Sequence, residues 1–149
     1  MAISRGAGTE IIRSHMFEYT ASNTTVQDLI VGVADHIYTV LSIVCFAKVA
    51  SDGLEIYLLG YDALAGDTGQ NVILFQAGSV AINQTYVIND KFSFNGNEPT
   101  NFTGPLDDAA KQNAIADQDQ ATVQRLRMVK SVNNDEWEVL ITFIDQNNA

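Results

Sequence analysis

The chain divides into short, apolar-rich, β-like runs, and turn signals separate them every 10 to 20 residues or so. Eight runs follow this rhythm: Glu10–Tyr19, Val26–Val33, Ile37–Val49, Leu54–Tyr61, Val72–Val80, Thr85–Phe94, Val123–Val132 and Glu136–Ile144. Strands of this length and spacing predict an all-β, eight-stranded antiparallel β-sandwich in a single domain. Asp52-Gly53 favours a tight turn and predicts a hairpin between the third and fourth runs. Phe92 and Phe94 share a face, and Asp90 occupies the place on that face where another apolar group is expected. A bulge near Asn89-Asp90 follows.

The rhythm stops between Asn97 and Ala121. This stretch holds both prolines and many Asp, Asn and Gln residues, so it reads as a loop excursion from the sandwich. Within it, Asp107–Ala116 has the composition of a short helix, with acidic residues at the end where the helix dipole favours them. The expected organisation is an N-terminal arm over 1–9 and a β-sandwich domain over 10–149.

Several runs are apolar on both faces. Trp137, Val139, Ile141 and Phe143 form one face of the last run, yet Leu140 and Ile144 stand on the other among Glu138 and Thr142. In Leu54–Tyr61, the set Tyr57, Leu59 and Tyr61 opposes Leu54, Ile56 and Leu58. A strand apolar on both sides needs a second covering layer, supplied by the excursion or by a neighbouring subunit.

Composition sharpens this picture. Only 17% of the 149 residues are charged, against 46% apolar, and the polar remainder includes 12 Asn, 9 Gln, 11 Thr and 8 Ser. Amides and hydroxyls in that proportion suit hydrogen bonding to other protein surfaces. The net charge of −10 argues against nucleic-acid binding, which rests on clusters of Lys and Arg. The nearest approach to a cluster, Arg125, Arg127 and Lys130, is expected on the polar face of a strand. The apolar stretch Ile37–Ala47 is too short to span a bilayer as a helix, and MAISRGAGTE has no apolar signal core. No membrane partner is expected.

A search for chemistry returns little. Cys45 is the only cysteine, which excludes an intrachain disulfide and a multi-cysteine zinc site, and its apolar setting predicts a buried structural thiol. His15 and His36 lack metal-ligand spacing and read as structural. There is no nucleophile elbow, dinucleotide fingerprint or phosphate loop. The acidic pairs Asp107-Asp108, Asp117 with Asp119, and Asp62 with Asp67 lie in loop-like segments and read as solvated charge. Neither DALAGDTGQN nor DQD matches a calcium-loop spacing. Tyr38, Tyr57, Tyr61, Tyr86 and Trp137 could stack on a sugar, but core or interface packing accounts for them first. No catalytic, cofactor-binding or metal-binding residue is assigned, no cofactor is expected, and the chain reads as a non-enzyme.

The segments GAGTEIIRSHMFEY, HIYTVLSIVCFAKVA, LEIYLLGYDALAGDTGQNVILFQ and TYVINDKFSFNG, with EVLITFIDQN near the C-terminus, resemble small virion structural proteins of tailed, marine-type bacteriophages. The resemblance implies a jelly-roll-like sandwich that works by binding. It implies a capsid decoration (cement) protein on the capsid exterior, assembled in the host cytoplasm. Its partners would be the major capsid protein and further copies of itself, as a homotrimer. The arm Met1–Thr9 and the excursion Asn97–Ala121 are the candidate contact segments. The alternative is a tail-associated adaptor, or a receptor- or glycan-binding protein of the virion.

Overall fold

The computed structural model describes residues 8–20, 26–61, 69–99, 105, 107–110, 112, 121–130 and 135–147. Among them are eleven strands: β1 (Thr9–Tyr19), β2 (Val26–Val31), β3 (His36–Ala47), β4 (Ser51–Tyr61), β5 (Gly69–Val80), β6 (Thr85–Ile88), β7 (Phe92–Asn95), β8 (Asn97–Pro99), β9 (Ala121–Val123), β10 (Arg125–Lys130) and β11 (Trp137–Asn147). One sheet has the order β1-β11-β3-β6, with β7 also on β3. A second has the order β2-β10-β4-β5, and β8 pairs with β9 as a short ribbon.

The pairing has a simple logic. β1 lies antiparallel to β11, β2 to β10, β3 to β6 and β7, and β4 to β5. The first half of the chain therefore pairs with the second half in reverse order, as one long hairpin. Lateral pairs β3–β11 and β4–β10 fold that hairpin into two facing sheets. This is a jelly-roll sandwich.

The strand count exceeds the expected eight for two local reasons. Thr85–Phe94 is divided at Asn89-Asp90-Lys91 into β6 and β7, where the partner strand β3 also breaks register between Val40 and Ile43. The irregularity expected at Asp90 is a full interruption. β8 and β9, with Asn97 opposite Val123 and Pro99 opposite Ala121, form a stem beneath the excursion. Within the excursion Ala109, Ala110 and Gln112 are helical, and Gln112 N–H donates to the Asp108 carbonyl at 3.2 Å. The rest of the expected helix lies outside the described residues.

The hairpin expected at Asp52-Gly53 does not form. β3 and β4 belong to different sheets, and Asp52-Gly53 lies inside β4, where Gly53 adopts φ +155° opposite Gly78. Both strands carry full inward apolar sets, so they face each other across the core. Val40, Ile43 and Cys45 of β3, Leu54 and Ile56 of β4, Leu126 and Met128 of β10, and Trp137, Val139, Ile141 and Phe143 of β11 form that core. Burial pushes the Cys45 thiol up to about 12, as a structural cysteine requires.

Lys130 departs from expectation. It shares the inward face of β10 with Leu126 and Met128, and is 1% exposed instead of standing on a polar face with Arg125 and Arg127. Period-two geometry forces this, because residues 125 and 127 share one side and 130 the other. Its ammonium donates to the carbonyls of Thr20 and Asp135 at 2.7 and 3.1 Å and lies 5.2 Å from the centre of the Tyr19 ring.

One end of the sandwich is closed by three backbones in direct contact. Gly32 N–H donates to the Gln124 carbonyl, Gln124 N–H to Gly96, and Gly96 N–H to His36, at 2.8, 2.9 and 2.8 Å. A Cβ on Gly32 would fall 1.9 Å from the Gly96 carbonyl oxygen, and one on Gly96 would fall 1.9 Å from that of Val33. Only glycine permits this approach.

Candidate interaction surface

The distinctive surface is the outer face of the five-stranded sheet. Along β1 the residues Glu10, Ile12, Ser14, Met16 and Glu18 point outward, because Phe17 and Tyr19 turn to the core. Pairing sets them in rows. Met16 stands opposite Leu140, Leu140 opposite Val44, and Val44 opposite Val87. This row crosses four strands drawn from distant parts of the sequence. Met16 is 85% exposed, Val87 59% and Leu140 37%, while Val44 is half-buried.

The flanking rows differ in character. On one side Glu18, Glu138, Phe46 and Thr85 align, and Lys48 pairs with Glu18 and lies 3.9 Å from Glu138. On the other side are hydroxyls: Ser14 Oγ is 3.2 Å from Thr142 Oγ1, and Thr142 stands opposite Ser42. Beyond them Ile12, Ile144, Thr39 and Ser93 form a fourth row, closed by a 2.9 Å hydroxyl pair between Thr39 and Ser93. Between Met16, Val44, Phe46 and Leu140 the face dips into an open groove of about 510 Å³. The surface is an apolar stripe with an acidic rim on one side and a neutral hydroxyl rim on the other, the composition of a protein-binding patch.

Elsewhere, several polar side chains tie strands together. Asp145 is buried and accepts from His36 Nδ1 at 2.6 Å and from Arg13 Nε at 3.0 Å. His15 is exposed and stacks on Phe143 with ring centres 5.7 Å apart. On the outer face of the second sheet, Asp28 binds Arg125 at 2.9 Å and Arg127 at 2.5 Å. The Asp28 carboxylate beside Arg127 raises that guanidinium further above its ordinary range. Tyr57, 7% exposed, stands opposite Arg127 and Ile73 on the same face.

The aromatic residues do not converge on a platform. Trp137 is fully buried, Tyr38 packs against Phe94 at 5.3 Å, and Tyr86 packs against Phe75 at 5.5 Å. The side chain of Tyr61, the pairs Asp62 with Asp67 and Asp117 with Asp119, and arm residues 1–7 lie outside the described residues. Asp107 and Asp108 are exposed. Among the described residues no three His, Cys, Asp or Glu side chains gather closely enough to hold a metal ion. A smaller pocket of about 260 Å³ is lined by Leu58, Phe94 and the buried amide of Gln124 among others. The amide's carbonyl oxygen, Gln124 Oε1, is buried without a protein partner.

Fold and surface together define a jelly-roll module whose distinctive feature is a grooved, apolar outer face. No protein-family model matches the chain, and no curated protein matches it significantly. Among solved structures, the chain is similar to one from infectious bursal disease virus, Gx strain, at 9% identity and a TM-score of 0.49, covering 95% of this chain and 33% of that one. The Gt strain gives 10% identity and a TM-score of 0.48, covering 99% and 35%. A structure described as Bacillus endospore appendages, a family of disulfide-linked pili, gives 10% identity and a TM-score of 0.41, covering 100% and 97%. The chain spans about a third of the length of the virus chains it matches. The fold assignment rests on the strand order of this chain.

Proposed function

We propose that this chain is a virion structural protein: a decoration, or cement, protein of a tailed phage that binds the major capsid protein and further copies of itself as a homotrimer. The observation that carries this reading is the outward row Met16–Leu140–Val44–Val87. A rigid sandwich that leaves such a row in water is built to cover it with another protein. Its acidic rim at Glu18 and Glu138, served by Lys48, favours a partner surface with basic residues around an apolar ridge. The segmental resemblance to phage virion proteins supplies the kind of particle. The arm 1–9 and the excursion above the β8–β9 ribbon are the proposed secondary contacts with the shell. The protein works by binding, without a cofactor, on the outside of the capsid.

Electron microscopy of purified particles with this chain located, together with its copy number, tests the reading. Hundreds of copies on the shell support it. A few copies confined to the tail, or no affinity of the purified chain for empty shells, overturn it.

A further inference from the structure

The strand that ends the apolar row, β1, is itself an edge. Among the described residues it pairs with β11 alone, in unbroken register from Thr9 opposite Asn147 to Tyr19 opposite Trp137. Long edge strands are ordinarily protected by bulges, proline, charge or a covering element. The other long edge, β5, has such a device, since its register with β4 skips Leu74. Among the described residues the middle of β1 has none. Its one charged group between Ile11 and Phe17, Arg13, is bound to Asp145, while Ile12 and Met16 stand in water.

The outward residues of β1 also read the same in both directions: Glu10, Ile12, Ser14, Met16, Glu18. An acid, an apolar residue, a hydroxyl, an apolar residue and an acid are symmetric about Ser14. Laid antiparallel on a second copy across a two-fold axis, a strand with that pattern sets apolar against apolar and hydroxyl against hydroxyl at its three central outward positions. We propose that two copies of this chain join edge to edge through β1, with Ser14 opposite Ser14 of the second copy on the axis and Ile12 opposite Met16. The joined sheet prolongs the apolar row from Met16 of one copy onto Ile12 and Ile144 of the other, extending it from four residues to six. The contact covers Ile11, Ile12, Met16 and the backbone edge of a single strand, which is small beside the roughly 1,200–2,000 Å² of a stable specific interface. The pair therefore forms at the high local concentration of an assembly and comes apart on dilution. The same register sets Glu10 against Glu18 of the mate, a repulsion that Lys48 beside Glu18 reduces. The inference rests on β1 alone and is independent of the particle reading.

Cysteine cross-linking of the full chain tests it. Antiparallel strands bring opposed Cα atoms to about 4.5–5.5 Å, within disulfide range. Under mild oxidation Ser14→Cys is expected to give a disulfide-linked dimer. Ile12→Cys alone, whose thiols stand well apart in this register, is expected to stay unlinked. A mixture of Ile12→Cys and Met16→Cys chains is expected to give the heterodimer, and wild type stays unlinked because Cys45 is buried. Glu10→Lys, which turns both repelling pairs into attracting ones, is expected to tighten dimerisation roughly tenfold by sedimentation equilibrium. Ser14→Cys that remains unlinked while its reduced form unfolds at the wild-type temperature overturns the proposal. So does equal linking of Ile12→Cys and Ser14→Cys, or a Glu10→Lys chain that dimerises no better than wild type.

Discussion

Asp145 holds β11 to both of its neighbours: its Oδ1 accepts from His36 of β3 at 2.6 Å, and its Oδ2 accepts from Arg13 of β1 at 3.0 Å. The three side chains join the outermost strand to the sheet at the end far from Trp137. Because Asp145 is buried, its replacement leaves the ring N–H of His36 without an acceptor in a partly enclosed site. Asp145→Ala is expected to lower stability by about 2–4 kcal/mol. Arg13→Ala is expected to cost under about 1 kcal/mol, since the Arg13 side chain is 44% exposed and Asp145 keeps His36. Urea midpoints at unchanged slope measure both. Equal losses would show that Asp145 does not act as the shared acceptor.

Gly96 at the backbone crossing and Gly78 in β5 give predictions of opposite sign. Gly96→Ala drives a methyl to 1.9 Å from the Val33 carbonyl oxygen, and backbone cannot yield there without breaking the bonds that close the sandwich. The expected loss exceeds about 3 kcal/mol. Gly78→Ala meets nothing within 4 Å, so the smaller entropy of its unfolded chain dominates. It is expected to be neutral or stabilising by up to about 1 kcal/mol. Thermal unfolding of the two variants decides, and a tolerated Gly96→Ala would refute the close approach.

The apolar row separates binding from folding. Met16 and Val87 touch little within their own chain, being 85% and 59% exposed. Met16→Lys combined with Val87→Lys is expected to change stability by less than about 0.5 kcal/mol. The same variant is expected to lose most of its sedimentation with empty shells. Retained binding at unchanged stability would place the contact on another face.

Much of the architecture was legible because β alternation is local. The inward set Trp137, Val139, Ile141 and Phe143 follows from period two alone, and so does the second apolar set that marks the outer face. Chain crossing between sheets is not local. Asp52-Gly53 has the composition of a turn, but the partners of β4 are β5 and β10, tens of residues away, and they draw the dipeptide into a strand. Lys130 was misplaced because three basic residues close in sequence look like one face until parity separates them. Of the row Met16–Leu140–Val44–Val87, alternation along the strand marks Leu140 alone, and its alignment with the other three had no sequence signal. Each residue is unremarkable alone, and only the registers of three strand pairs align them.

Alkaline pH is expected to weaken the fold through groups that burial holds neutral. The Cys45 thiol is raised from 9.0 to about 12 by desolvation. Tyr19 and Tyr38 are likewise raised above 10.0, first by burial and then by neighbouring groups, among them Asp28 for Tyr19 and Asp145 for Tyr38. Tyr19 also donates its hydroxyl proton to the Met128 carbonyl at 3.3 Å, a bond that ionisation removes. In each case the folded protein retains a proton that the unfolded chain releases. Between the unfolded and folded values the native state therefore binds more protons, and unfolding free energy falls as pH rises. Stability is expected to be level through neutral pH, to begin falling near pH 9 as unfolded Cys45 ionises, and to fall more steeply above pH 10 as the unfolded tyrosines join it. Urea midpoints across that range measure the decline. Cys45→Ala should remove the part that begins near pH 9 and leave the tyrosine part. A thiol reagent at about pH 8 should label native wild type only after unfolding, because the reactive thiolate is absent from the folded core. A flat alkaline profile, or rapid labelling of the native chain, would show that Cys45 is not sealed in the position between the sheets.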